Sequence, residues 1–102
     1  SAAKGGIRSM TKAIAIHCRR QRYGIRCNSV HPGSINTPMV QHALRELMDV
    51  DLNAAEDPER MRRKLGIGEP DDVAGMVTFL LGDQSKHITG AEMVVDNGDT
   101  VV

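Results

Sequence analysis

Aromatic side chains are almost missing from this sequence: one tyrosine, Tyr23, one phenylalanine, Phe79, and no tryptophan in 102 residues. A core filled by large rings is thereby excluded, and Val, Ile, Leu, Met and Ala must pack in their place. The same scarcity removes the stacking platforms on which single-stranded nucleic acid is held. Net charge is missing too. Thirteen basic residues balance thirteen acidic ones, so nothing draws the chain toward nucleic acid or an anionic membrane. No apolar run reaches the ~18 residues of a membrane span, and the start carries no secretory pattern. A cytoplasmic protein that binds neither nucleic acid nor membrane is expected. Cysteine is limited to Cys18 and Cys27, whose spacing suits no metal, so no metal site is expected. Buried, reduced thiols are the expectation for the pair, with a disulfide as the alternative.

What is present is an ordinary globular composition, 40% hydrophobic and 25% charged, with 10 glycines and 6 methionines. Residues 1–22 have helical periodicity. Ala3, Ile7, Met10, Ile14 and Cys18 make one apolar stripe, and Ala2, Gly6, Ala13 and Ile16 a second beside it. The basic run Arg19, Arg20, Arg22 suits the negative end of the helix dipole, and Gly24 is the expected stop. Residues 25–32 read as a strand broken by Pro32 and Gly33. Thr37 with Pro38 opens a helix carrying Met39, Val40, Ala43, Leu44, Leu47 and Met48 on its apolar side. Asp57 and Pro58 restart a helix with Met61 and Leu65. Pro70, Asp71 and Asp72 open the clearest helix, in which Val73, Met76, Val77, Leu80 and Leu81 follow the i, i+3, i+4, i+7, i+8 rule. A second strand spans residues 91–96, followed by a turn and a short tail.

The order is helix, strand, helical insertion, helix, strand. Strand, crossover helix and strand make a βαβ unit with parallel strands and a right-handed crossover. Two strands are too few for an independent sheet, and a parallel sheet needs cover on both faces. The expected fold class is therefore α/β, the C-terminal portion of a Rossmann-type doubly wound parallel sheet.

Four stretches, SAAKGGI, IRCNSVHPGSINTPM, GEPDDVAGMVTFLLGD and ITGAEMVVDNG, stand in the order and spacing of the C-terminal part of the short-chain dehydrogenase/reductase family, and the chain resembles that family over nearly all its length. The resemblance implies one Rossmann-type domain of which residues 1–102 are the C-terminal part, with a substrate lid at about 38–66 and the dinucleotide-binding half upstream. It implies an NAD- or NADP-dependent oxidoreductase acting on a secondary alcohol or ketone, in a homo-oligomer, tetramer or dimer. This chain alone, without the rest of its own subunit, is expected to be inactive.

The family's Tyr-x-x-x-Lys signature maps its lysine onto Lys4, which puts the tyrosine immediately before Ser1. Residues four apart share a helix face. An ammonium there lowers a phenol from its usual pKa near 10, and the phenol can then exchange a proton with the substrate oxygen. The family's lysine also holds the nicotinamide ribose, so Lys4 is expected to serve both catalysis and cofactor binding. The loop after the first strand maps cofactor contacts onto Pro32, Gly33, Ile35 and Thr37. Thr37 also suits a plain helix cap, and both roles are compatible. Met39, Val40, Ala43, Leu44 and Leu47 are expected to line an apolar, steroid-like or alicyclic substrate pocket; packing on the body of the fold is the alternative for the same stripe. His31, Arg26 and Asn28 are expected to be structural, and Gly5 and Gly6 to serve close helix packing. The sequence ends VDNG where the family usually has Asp-Gly-Gly, and Asn97 is expected to take the left-handed conformation. A catalytically silent member acting as a binding or assembly module is the competing reading.

Overall fold

The computed structural model describes residues 2–101. Its elements are helix α1 (Ala2–Gln21), strand β1 (Ser29–Pro32), helix α2 (Pro38–Met48), a 3-10 turn Leu52–Ala54, helix α3 (Pro58–Lys64), helix α4 (Pro70–Leu81), a 3-10 turn Asp83–Ser85, strand β2 (Glu92–Val95) and a last 3-10 turn Asp99–Val101. The strands pair as a two-stranded sheet. Ser29 N–H donates to Ala91 O and Gly33 N–H to Val95 O, both at 3.0 Å, and this constant offset makes the pair parallel. The architecture is a partial Rossmann-type parallel sheet flanked by helices. The chain divides into two compact units: one takes the chain up to His31 with Gly75–Val94, the other Pro32–Ala74 with the chain from Val95 onward.

In the first unit, α1 buries Thr11, Ala15 and Cys18. This seam shares Cys18 with the first predicted stripe, but Ile7, Met10, Ile14 and Ile16 of the two stripes stay 41–58% exposed. Thr11 enters the seam because its hydroxyl donates to Ile7 O at 2.7 Å, so its polar group is satisfied inside the helix. Ala15 is small enough for close approach: a side chain on Gly90 would start 3.4 Å from its Cβ. The helix stops earlier than expected. Arg22, at φ 55°, is the left-handed residue, with Arg22 N–H on Arg19 O and Tyr23 N–H on Cys18 O, a Schellman closure. Gly24, also at positive φ, lies beyond it. Gly5 and Gly6 have open space within 4 Å among the described residues, so the expected close packing is not made within this chain.

The ladder of β1 begins at Ser29, four residues later than the sequence suggests. Opposite residues 25–28 stands the turn before β2, and side chains take over the bonding. The Arg26 guanidinium donates to Leu80 O at 2.7 Å and Ile88 O at 3.3 Å, which closes the carbonyl end of α4. Asn28 Nδ2 donates to Ile88 O, and its Oδ1 accepts from Ala91 N–H. Arg26 and Asn28 thus have the structural role expected of them. On the apolar face of α4 Val73, Met76 and Leu80 are half-buried and none is fully buried among the described residues, while Leu81 is 81% exposed.

In the second unit the core is Leu44, Leu52 and Ile67, with Val40, Val50, Met61 and Leu65 packed against it. Caps set its helices. Thr37 Oγ1 accepts Val40 N–H at 3.3 Å and Asp57 Oδ1 accepts Arg60 N–H at 3.1 Å, each just ahead of a proline. Asp72 reaches back to Glu69 N–H at 2.7 Å, the reciprocal half of a capping box at the start of α4. Asp51 similarly caps the turn that delivers Leu52 to the core.

Candidate functional site

Residues 32–37 leave the C-terminal end of β1, the edge at which open α/β sheets receive ligands. The loop is held at two points within the second unit. Gly33 pairs with Val95, and its missing side chain faces Asp96: a Cβ there would lie 2.6 Å from Asp96 Cβ and 3.0 Å from Asp96 Cα. Ile35 forms a parallel bridge with Gly68, in which Asn36 N–H donates to Gly68 O at 2.7 Å and Gly68 N–H to Ser34 O at 2.9 Å. In such a bridge the neighbours of the central residue carry the bonds, so the Ile35 amide and carbonyl are directed to the opposite side. Beside this segment lies a cavity of about 330 Å³ lined by Ser34, Ile35, Gly68, Asp72, Asp96 and Asn97.

Asp96 closes the turn after β2. Its carboxylate accepts Gly98 N–H at 2.9 Å and Thr100 N–H at 3.1 Å, and its carbonyl accepts Asp99 N–H at 3.2 Å. Partial burial works to raise its pKa, but hydrogen bonds from Thr100, Gly98 and Asp99 prevail and hold it below the usual value. Asn97 and Gly98 both take positive φ, 57° and 82°, the pattern of a type I′ turn. Asn97 therefore has the left-handed conformation expected from the VDNG ending.

The stripe on α2 divides. Leu44 is in the core and Val40 packs on it, whereas Met39, Ala43 and Leu47, spaced four apart, occupy one exposed face; Met39 is 79% and Leu47 83% exposed. A second cavity of the same unit, about 450 Å³, is lined by Asn36, Leu52, Asn53, Arg62, Glu69 and Asp71. Sequence reasoning missed this polar cluster, because its members come from the loop, α3 and the start of α4 with no common spacing.

Lys4 lies in the first turn of α1, in the first unit. One and two turns further on, Arg8 and Lys12 hold Glu92 of β2. Lys12 Nζ donates to Glu92 Oε1 at 2.7 Å. Arg8 Nε stands 3.1 Å from Oε2, at ion-pair distance without hydrogen-bond alignment. The Lys12 hydrogen bond, opposed by burial and aided by the charges of Lys12 and Arg8, keeps the Glu92 carboxyl below its usual value. His31 is buried with its Nε2 2.8 Å from Ser29 Oγ, a structural partner inside the strand. Both cysteines are free; Cys18 is buried, while Cys27 is only half-buried. No helix among the described residues is long and apolar enough to cross a membrane.

A family profile described as Enoyl-(Acyl carrier protein) reductase matches residues 1–100. The chain is 43% identical over 103 residues to the NADP-dependent (R)-specific alcohol dehydrogenase of Lentilactobacillus kefiri, a match covering 98% of this chain and 37% of that protein. It is 37% identical over 97 residues to the 3-beta-hydroxysteroid dehydrogenase of Comamonas testosteroni, covering 95% and 37%. Among solved structures, an oxidoreductase of the short-chain dehydrogenase/reductase family from Burkholderia thailandensis superposes with a TM-score of 0.76 at 33% identity, covering 100% of this chain and 38% of that one. The chain thus spans a little over a third of the length of the relatives it matches.

Proposed function

This chain belongs to the short-chain dehydrogenase/reductase family, and from that premise we propose that it is the C-terminal segment of an NAD- or NADP-dependent oxidoreductase that interconverts a secondary alcohol and a ketone. The relatives named as alcohol and hydroxysteroid dehydrogenases support this reaction class, and the hydroxysteroid dehydrogenase supports a hydrophobic substrate. The subunit is cytoplasmic and homo-oligomeric in this reading, with the dinucleotide-binding half and the tyrosine upstream of Ser1, and the segment alone is inactive.

The observation that carries the proposal is the backbone at Ile35. A nicotinamide carboxamide has two N–H donors and one carbonyl acceptor. The bridge to Gly68 leaves Ile35 with one acceptor and one donor on the side away from it, which is the matching set. Thr37 adds to it, because capping Val40 uses a lone pair of the hydroxyl and leaves its proton to donate. Pro32 and Gly33 fix where the loop starts. The bound cofactor would supply or accept hydride. Lys4 would hold the ribose and keep the adjoining phenol acidic, so that the phenol passes a proton at the substrate oxygen. In the lid, at about 38–66, Met39, Ala43 and Leu47 form the side of α2 open to an apolar substrate. Val40 and Leu44, placed in the pocket by sequence, would act from behind them.

The test uses the full-length protein. Wild type should oxidise secondary alcohols with NAD or NADP, and Lys4→Met should lose at least about a hundredfold in kcat. Undiminished turnover in Lys4→Met refutes the role of Lys4. A subunit with phenylalanine in place of the tyrosine would establish the silent reading instead.

A further inference from the structure

Glu69 precedes α4, and its carboxylate joins parts of the second unit that the apolar core leaves separate. Its Oε1 stands 2.6 Å from Arg62 Nε of α3, an ion pair, and accepts from Asn36 Nδ2 of the loop at 3.4 Å. A carboxylate only accepts, so Asn36 must present its NH2 group to Glu69. That orientation leaves Asn36 Oδ1 for α2, where Gln41 Nε2 donates to it at 2.9 Å. The Arg62 side chain is only 13% exposed, so its ion pair with Glu69 is partly shielded from water. The rival carboxylate, Glu59, is 3.9 Å from Arg62. Neither the Gly68 bridge nor the contacts of Leu44, Leu52 and Ile67 need these side chains. The series Arg62, Glu69, Asn36, Gln41 therefore adds one thing: it ties both lid helices to the residue between Ile35 and Thr37.

We propose that Glu69 is a positioning residue that couples the seating of α2 and α3 to the backbone of residues 35–37, and through it to nicotinamide binding. The link to the cofactor rests on the reading of the loop given above. With the lid helices seated, Asn36 is fixed from two sides and the Ile35 peptide is held in its binding orientation. Removing the Glu69 carboxylate frees the Asn36 amide to rotate and leaves Arg62 to Glu59.

The experiment compares wild type, Glu69→Ala and Glu69→Gln in the full-length protein, by amide hydrogen exchange over residues 34–41, NADH and NADPH dissociation constants, and Tm. Glu69→Ala should speed exchange in that segment and weaken dinucleotide binding, each about tenfold, the factor set by one charge-assisted hydrogen bond. Glu69→Gln, which keeps an acceptor, should recover part of both, and exchange in α1 should stay at its wild-type rate. Unchanged exchange over residues 34–41 overturns the proposal. So does a wild-type dissociation constant in Glu69→Ala, or faster exchange spread evenly over the chain with a matching fall in Tm. A wild type that binds neither dinucleotide sinks the functional reading alone, because the exchange measurement still decides whether Glu69 couples lid to loop.

Discussion

Adding one methyl group at Gly33 should damage this protein about as much as truncating a residue of its core. The new Cβ would stand 2.6 Å from Asp96 Cβ and 3.0 Å from Asp96 Cα, against the ~3.5–4.0 Å at which carbon atoms rest. About 1 Å of separation must therefore be found. Asp96 cannot supply it cheaply, because its carboxylate and carbonyl together hold Gly98, Thr100 and Asp99 amides. Moving Gly33 instead breaks its 3.0 Å bond to Val95 O. Overpacking of this kind costs about 1–3 kcal/mol, and loss of a hydrogen bond or a cap adds about 1 kcal/mol. Gly33→Ala should thus destabilise by ~3 kcal/mol, read by urea denaturation of the full-length protein with the C-terminal turn followed by amide exchange. The turn around residues 96–101 should lose protection before the rest. A variant within ~0.5 kcal/mol of wild type, the range of a neutral surface change, would refute the argument that backbone contact requires this glycine.

The divided stripe on α2 gives a paired test: Leu44→Ala should cost about 2–5 kcal/mol of stability, while Met39→Ala and Leu47→Ala should leave Tm nearly unchanged and raise KM for bulky alcohols. An equal KM across hydrophobic substrates in both exposed-face variants would remove them from the pocket. Asn97→Gly should stabilise by up to ~1 kcal/mol, because glycine takes the φ of 57° without a Cβ penalty; a lower urea midpoint would contradict it. The depressed carboxyl of Glu92 contributes stability at pH values above its ordinary value of 4.5, and that contribution is lost as pH falls through the lower folded value. Glu92→Gln should accordingly flatten the acid limb of a stability profile, and an unaltered limb would show that Lys12 and Arg8 do not favour the ionised form.

Where a local rule sufficed, the sequence was legible. Thr37 with Pro38, Asp57 with Pro58 and Asp72 behind Pro70 mark helix starts because capping needs only a few adjacent residues. The apolar residues of α2 and α4 fix helix phase in the same way. Periodicity placed only Cys18 correctly on α1, because the rest of the burial there goes to Thr11 and Ala15, a satisfied hydroxyl and a small residue that permit close approach, while the larger Ile7, Met10 and Ile14 remain outside. It also overextended β1, since Arg26 and Asn28 supply with side chains what a ladder would otherwise provide. Leu52 was hidden in an acidic, irregular segment that only the Asp51 cap makes regular. As for the candidate site, the loop at residues 32–37 was readable from its motif. The cluster of Glu69, Arg62, Asn36 and Gln41 depends on the meeting of segments about 30 residues apart, and no pattern along the chain announces it.

The bonds of Asn28 also constrain the order in which the chain can acquire its shape. Its two amide groups bind Ile88 and Ala91, 60 and 63 residues later, and closing a loop of that length costs on the order of 4 kcal/mol in chain entropy. This edge of β1 must therefore stay unpaired during synthesis until residues 88–91 have left the ribosome. A polypeptide ended by a premature stop ahead of Ala91 would contain every residue of the 32–37 loop, yet β1 would have no β2 beside it and Asn28 no partner. The cell would meet such a product as an exposed strand and a substrate for its proteases.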